Sequence, residues 1–176
     1  MITAALVKEL REKTGAGMMD CKKALEACDG DIEKSFDWLR EKGIAKAAKK
    51  ADRIAAEGLT AFVLDGDTAA IVEVNSETDF VAKNAKFQAY VAQVAAQALT
   101  TTATDMDAFM DEKWTADESL TVKEALSSEI SIIGENMSIR RFKQVTEENG
   151  FVSSYIHAGG RIGVLLDVCL LYTSDA

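Results

Sequence analysis

Proline is absent from the 176 residues of this chain, histidine occurs once and cysteine three times. Without proline, the turns must depend on glycine, aspartate and asparagine. An odd number of cysteines with no Cys-x-x-Cys pair excludes a disulfide framework and a zinc site of the usual spacing. Cys21 and Cys28 share one face of a predicted helix, about 10 Å apart along its axis, which is beyond disulfide reach. We therefore interpret both as small packing residues.

Basic residues are also few, since 20 lysines and arginines stand against 29 aspartates and glutamates, for a net charge of −9 and a pI near 4.7. A direct nucleic-acid partner is not expected, because binding to backbone phosphates needs clustered lysine and arginine. No hydrophobic run approaches the length of a membrane span, and the first residues lack the basic and apolar regions of a secretory signal. These features predict a cytoplasmic globular protein with no membrane partner.

The residue patterns of hydrolytic enzymes are missing as well. The single histidine, His157, ends a predicted strand, and no serine or cysteine occupies a nucleophile elbow. The glycines at 159, 160 and 163 suggest a phosphate-binding loop, but they lie between two predicted strands and no Lys-Ser/Thr follows them. We therefore expect no catalytic residues, no cofactor and no metal site.

Helical periodicity dominates the first 44 residues, where it predicts three short helices. Thr3 is placed to cap the first helix, glycines separate it from the second, and the third is predicted to end at Gly43. Residues 45–57 are rich in alanine and lysine, which predicts an exposed helical connector. A three-helix bundle of this size would be marginally stable alone.

Near residue 58 the pattern changes to an alternation of apolar and polar residues, which is typical of β-strands. Segments 59–64 and 69–75 flank an Asp-Gly turn and predict a β-hairpin, and the same pattern recurs at 152–157 and 161–168. A helix is predicted after Thr78 with an apolar side formed by Phe80, Phe87, Val91, Val94 and Ala98. Further helices are predicted at 105–114 and 122–133, and a strand at 137–145.

The most informative run is TDFVAKN at 78–84, which opens the long predicted helix. Thr78 is a suitable N-cap, and Asp79 behind it is favoured by the helix dipole. From these residues alone, the simpler interpretation is a capped helix whose first core residue is Phe80.

Three further runs accompany it in a fixed order: LREKTGAGMMDCKKAL at 10–25, KAAKKA at 46–51, and IGEN at 133–136 followed by SIRR at 138–141. With these four runs, the chain resembles bacterial elongation factor Ts, the nucleotide-exchange factor of the translational GTPase elongation factor Tu. The resemblance covers residues 1 to about 168, and four separate runs in one order are far more specific than any one of them.

The resemblance implies a function in guanine-nucleotide exchange and a set of partner-binding residues. Phe80 is implied to wedge into an apolar pocket of elongation factor Tu near its phosphate and magnesium region, while Asp79 meets a neighbouring helix. GDP release is then accelerated without chemistry by the factor itself. The remaining implied contact residues are Thr78, Val81, Met18, Met19, Ile133 and His157.

The implied fold is α+β. It consists of a three-helix domain of the ubiquitin-associated type that docks on the GTPase, a helical connector, and a core lobe with a small antiparallel sheet packed by helices. Longer members of the family have two related lobes, so the last segment is expected to be the first hairpin of an incomplete second lobe with an atypical tail, as in a truncated product. The predicted boundaries are 1–44, 45–57, 58–149 and 150–176.

Two other classes of function remain open from the sequence. One is an adaptor that uses the three-helix domain to bind another protein without exchange activity. The other is a small enzyme with acidic residues in a cleft, such as Glu73, Glu77 and Asp79, which would need a metal ion or a pair of carboxylates with perturbed pKa values.

Overall fold

The computed structural model of the protein describes residues 2–169, and within that range it contains seven α-helices and seven β-strands. Helices occupy most of the N-terminal part and small antiparallel sheets the rest, so the predicted α+β class is confirmed. Contacts divide the described chain into two compact units. The first contains residues up to Arg53 together with Glu124–Asn136, and the second contains Ile54–Lys123 together with residues 137–169.

The first unit is built from helices α1 (Ala4–Thr14), α2 (Met18–Ala27) and α3 (Ile32–Ala48), together with most of α7 (Val122–Ile133). The predicted cap is confirmed, because Oγ1 of Thr3 accepts a hydrogen bond from the amide of Leu6 at 3.3 Å. The centre of this unit is completely buried and consists of Leu10, Cys21, Ala24 and Leu25. Cys21 therefore packs as a small apolar side chain, as predicted, whereas Cys28 is half-buried.

The predicted end of the third helix at Gly43 is wrong. α3 continues through Gly43 to Ala48, and Gly43 is buried within it. A Cβ added to Gly43 would lie 3.8 Å from Cβ of Ser131, an ordinary contact distance, so Gly43 lies inside α3 beside α7 and does not end the helix. The predicted helical connector is correspondingly shorter, because the helix stops at Ala48 and the chain then forms turns before the first strand.

The second unit is organised around a three-stranded antiparallel sheet. Its strands are β1 (Glu57–Asp65), β2 (Thr68–Ser76) and β5 (Met137–Thr146), with β2 in the centre. β1 and β2 pair in one uninterrupted register, as the predicted hairpin requires. The strand predicted at 137–145 is also confirmed, and it pairs with β2.

The long helix predicted after Thr78 is two helices. α4 (Asp79–Ala82) is a single turn, and α5 (Ala85–Thr100) begins after Asn84, whose side chain accepts a hydrogen bond from the amide of Lys86 at 2.8 Å. Four residues of the predicted apolar side are buried on α5: Phe87, Val91, Val94 and Ala98. Phe80 is separated from this side by the break at Asn84 and does not belong to the core.

The helix predicted at 105–114 is correct only in its first part. α6 covers Met106–Asp111, and the chain then forms β3 (Lys113–Trp114), which pairs with β4 (Asp117–Thr121). The buried side chain of Gln97 explains the change, because it donates to the carbonyl of Lys113 at 3.2 Å and accepts from the amide of Thr115 at 2.9 Å. These backbone groups are therefore bonded to a side chain of α5 instead of continuing a helix.

The last described elements are β6 (Gly150–His157) and β7 (Ile162–Cys169), which form the second predicted hairpin. A single 3-10 turn at Ala158–Gly160 connects them. Residues 170–176 lie outside the described residues, and so does most of the predicted atypical tail. The predicted domain boundaries stay predictions. Among residues 2–169, no helix combines the length and the apolar character needed to cross a membrane.

Candidate partner-binding site

The TDFVAKN run forms a capped turn between β2 and α5. The amide of Val81 donates to Oγ1 of Thr78 at 3.4 Å, and Oγ of Ser76 donates to the carbonyl of Thr78 at 3.1 Å. Val81 and Ala82 are buried and fix α4 against the rest of the unit. Thr78 thus acts as the cap that its sequence position predicts.

Phe80 points away from this anchored side. Its side chain is 80% exposed, whereas the adjacent Val81 is 9% exposed. The simpler interpretation of Phe80 as the first core residue of a helix is therefore contradicted. An aromatic ring held in water by a capped turn has two rotatable side-chain bonds, so binding would order it at a small entropic cost.

Asp79 presents a carboxylate beside this ring. Oδ2 of Asp79 lies 2.7 Å from Nζ of Lys83, one turn further along the chain. The hydrogen bond and charge of Lys83 lower the pKa of Asp79, and the positive charge of Arg161 lowers it further, while partial desolvation acts in the opposite direction. Asp79 is therefore ionised at neutral pH and can interact with a cationic or amide-rich surface.

Met18 and Met19 occupy the first turn of α2. Their side chains are 59% and 63% exposed, and the first of them follows the N-cap residue Gly17. They line a groove of about 340 Å³ on the first unit together with Ile2, Thr3, Ala4, Val7, Lys8, Arg11 and Lys22. The groove thus has an apolar floor and a positively charged rim.

The charged rim is available to a partner. Lys8 lies 3.7 Å from Glu12 and Lys22 lies 3.7 Å from Glu26, and all four side chains are more than half exposed. Ion pairs of this kind contribute little stability in water. Methionine side chains adapt to different apolar surfaces. The arrangement is suitable for an amphipathic helix with acidic residues along its edges.

Ile133 is the last residue of α7 and is half-buried. Gly134, with φ of 93°, ends the helix, and its amide donates to the carbonyl of Ile130 at 3.0 Å. The side chain of Asn136 donates to the carbonyl of Arg53 at 2.7 Å. The IGEN run therefore has a structural function within the first unit, in addition to any contact made by Ile133.

His157 ends β6, is exposed, and has Nδ1 3.0 Å from the hydroxyl oxygen of Tyr155. Tyr155, which is 60% exposed, was not identified from the sequence. The alternation along β6 could have revealed it, since residues 151, 153, 155 and 157 share one face. Other exposed apolar residues on the same face of the hairpin are Phe151, Ile162, Val164 and Leu166.

Two of the three acidic residues considered for an enzyme, Glu73 and Asp79, form ion pairs with basic side chains. Glu73 lies 2.7 Å from Nε of Arg141 and 3.7 Å from Nη1 of Arg140, and Asp79 is paired with Lys83. In the part of the chain that the structure describes, no group of three or more histidine, cysteine or acidic side chains could hold a metal ion. Because Glu73 is paired with arginines and Asp79 with a lysine, the arrangement favours a binding surface over acid–base chemistry.

The predicted contact residues form separate groups. Thr78, Asp79, Phe80 and Val81 lie together at α4 in the second unit, which also contains His157. The other three, Met18, Met19 and Ile133, belong to the first unit.

Comparison with known proteins gives one consistent result. A sequence model of the family described as Elongation factor TS matches residues 77–171. Elongation factor Ts of Clostridium tetani is 57% identical over 170 residues, which cover 96% of this chain and 56% of the relative. The Clostridium novyi protein of the same name is 54% identical over 177 residues, covering 99% and 58%. The chain thus spans a little over half the length of the curated relatives it matches.

Proposed function

The chain belongs to the elongation factor Ts family, and on this premise we propose that it binds elongation factor Tu carrying GDP and accelerates release of the nucleotide. The observation that supports this function most strongly is the exposure of Phe80, 80% of whose side chain is in water on a capped, anchored turn. A ring in this position is prepared for insertion into a partner and adds nothing to the core of its own unit.

Insertion of the ring supplies the energy for exchange. Complete burial of a phenylalanine side chain contributes about 1.5–3 kcal/mol. In the complex, Phe80 enters an apolar pocket of the GTPase close to its phosphate and magnesium region and displaces the groups that hold the nucleotide. The ionised Asp79 contacts the neighbouring helix of the GTPase and fixes the direction of insertion. Because coupling between two binding sites is reciprocal, the factor and GDP each weaken binding of the other.

The groove of the first unit supplies a second contact. Met18 and Met19 pack on an apolar helix face of the GTPase nucleotide-binding domain, and the rim residues Lys8, Arg11 and Lys22 attract acidic residues beside that face. Complementary charge of this kind mainly raises the association rate and fixes orientation. Docking of the first unit therefore brings the factor to the GTPase, while Phe80 changes the nucleotide site.

The proposed function involves no covalent step. Thr78, Val81, Ile133 and His157 complete the contacts, and no cofactor is required. The protein would act in the cytoplasm, where translation takes place.

The affinity of the chain for two forms of elongation factor Tu tests this function. By isothermal calorimetry, binding to the nucleotide-free GTPase should be tighter than binding to the GDP-loaded GTPase by about 5- to 150-fold, the usual range of coupling between sites. Phe80→Ala should reduce this ratio while retaining binding through the groove. Equal affinities for the two forms would contradict exchange and support the adaptor alternative.

A further inference from the structure

The loop between β6 and β7 is seated on the first hairpin through two glycines. Gly160 is buried with φ of 97°, and a Cβ at this position would lie 2.8 Å from Cδ2 of Leu59. A Cβ at Gly163 would lie 2.6 Å from Oγ1 of Thr60 and 3.0 Å from Cδ1 of Ile71. Oγ1 of Thr60 also donates to the carbonyl of Gly160 at 3.0 Å. Gly160 in the loop and Gly163 in β7 are therefore packed closely on β1 and β2, and a larger residue at either position would have to displace side chains there.

Arg161 lies between these glycines and extends to the beginning of β1. Its Nη2 is 3.0 Å from Oε2 of Glu57, and the two side chains are 61% and 42% exposed. Glu57 is opposite Ser76 in the register of β1 and β2, and Oγ of Ser76 donates to the carbonyl of Thr78. Arg161 is thus attached to the strand pair at the point where the chain enters α4.

Arg161 also acts on Asp79 in the first turn of α4. The pKa of Asp79 is lowered mainly by the hydrogen bond and charge of Lys83; desolvation opposes this shift, and the charge of Arg161 adds a smaller lowering. Arg161 therefore forms an ion pair with Glu57, and its charge has a smaller effect on the pKa of Asp79.

The contribution of Arg161 to folding should be small. Exposed ion pairs add little to the free energy of unfolding, and the loop is already held by Gly160, Gly163 and the hydrogen bond from Thr60. The effect of the Arg161 charge should therefore fall on the placement of α4 relative to the β6–β7 loop.

We propose that Arg161 is a positioning residue for nucleotide exchange, which holds the α4 turn beside the β6–β7 loop so that Phe80 and His157 meet the GTPase in a fixed relation. The proposal rests on the exchange function and deepens it. Arg161 makes no contact with nucleotide in this mechanism. It acts through its ion pair with Glu57, which lies opposite Ser76 where the chain enters α4. Loss of the charge leaves the ring of Phe80 in place but with a less fixed orientation.

Removal of the charge tests the proposal. Release of labelled GDP from elongation factor Tu is measured over a range of factor concentrations, which separates the maximal rate from the half-saturating concentration. Arg161→Gln should lower the maximal rate about three- to tenfold, the effect of a typical coupling between neighbouring groups. The melting temperature should fall by about 2 °C or less, since the lost pair is exposed.

Two variants provide matched comparisons. Arg161→Lys keeps the positive charge and should recover most of the lost rate. Arg140→Ala removes another exposed arginine of the same unit, 3.7 Å from Glu73, and should leave the maximal rate within about twofold of wild type, as for a surface pair. If Arg161→Gln exchanges like wild type, or if Arg161→Lys is as slow as Arg161→Gln, the charge of Arg161 has no positioning function.

A nuclear magnetic resonance titration provides a readout independent of exchange. The pKa of Asp79 should rise in Arg161→Gln and stay unchanged in Arg140→Ala, and an unchanged pKa in Arg161→Gln would overturn the inference. A wild-type chain that binds the GTPase without accelerating GDP release would overturn the proposed function and the inference together. An active wild-type chain with an equally active Arg161→Gln variant would overturn the inference alone.

Discussion

Substitution of Phe80 by alanine separates a partner-binding ring from a core residue. Because the ring is 80% exposed, Phe80→Ala should change the free energy of unfolding by less than about 0.5 kcal/mol. If the ring is a buried anchor in the complex, its loss should cost about 2 kcal/mol or more. That energy corresponds to about thirtyfold in rate when it falls on the exchange step. Thermal unfolding and release of labelled GDP are measured on the same preparations.

Phe87→Ala is the matched control. Phe87 is completely buried on α5, so its truncation should destabilise the protein by about 3–5 kcal/mol. A Phe80→Ala variant that melts like wild type and also exchanges like wild type would refute the wedge mechanism. A large fall in its melting temperature would instead refute the claim that the ring contributes nothing to the core.

Three further predictions concern other parts of the structure. Native Asp79 has a pKa below its ordinary value of 3.8. Its stabilising contribution is therefore present above the unfolded pKa and is lost as pH falls through the native pKa. The free energies of unfolding of wild type and Asp79→Asn, measured by urea titration, should converge as the pH is lowered. Gly58→Ala should lower the free energy of unfolding, measured in urea, by about 1–3 kcal/mol, because φ is 140° and the new Cβ would clash with the backbone of β2. Gly66 has φ of 57° and open space around it, so Gly66→Ala should cost only about 1 kcal/mol. Replacing Met18 and Met19 with serine should raise the factor concentration that gives half-maximal GDP release. The melting temperature and the maximal rate should stay nearly unchanged. An unaltered half-saturating concentration would show that the groove does not take part in docking.

The hairpins were predictable because their signals are local. Alternation of apolar and polar residues, with an Asp-Gly turn between segments, specifies β1 and β2 without reference to the rest of the chain. The same reasoning located β6 and β7. Thr3 and Thr78 were likewise predicted as caps because a cap depends on a few consecutive residues.

The errors arise where a distant contact decides the local structure. Gly43 was predicted as a helix end, but α3 continues through it, and Gly43 is buried beside Ser131 of α7. Residues 113 and 114 were predicted to be helical, but the side chain of Gln97 bonds to the carbonyl of Lys113 and to the amide of Thr115. Neither contact can be read from a window of neighbouring residues.

In the candidate site, too, some features could be predicted from the local sequence and others could not. The TDFVAKN run identified Asp79 and Phe80, but a continuous helical period also placed Phe80 on the side of Phe87. The cap formed by Asn84 breaks that period and leaves the ring exposed. Arg161 was not singled out from the sequence, because its ion pair with Glu57 joins residues far apart in the chain.

The central claim is tested most directly by stopped-flow release of fluorescent GDP from elongation factor Tu, with excess unlabelled GDP and increasing amounts of the wild-type chain. The account predicts a release rate that rises with factor concentration and saturates well above the intrinsic rate. A release rate that stays at the intrinsic value at every concentration, while the complex forms, would contradict it.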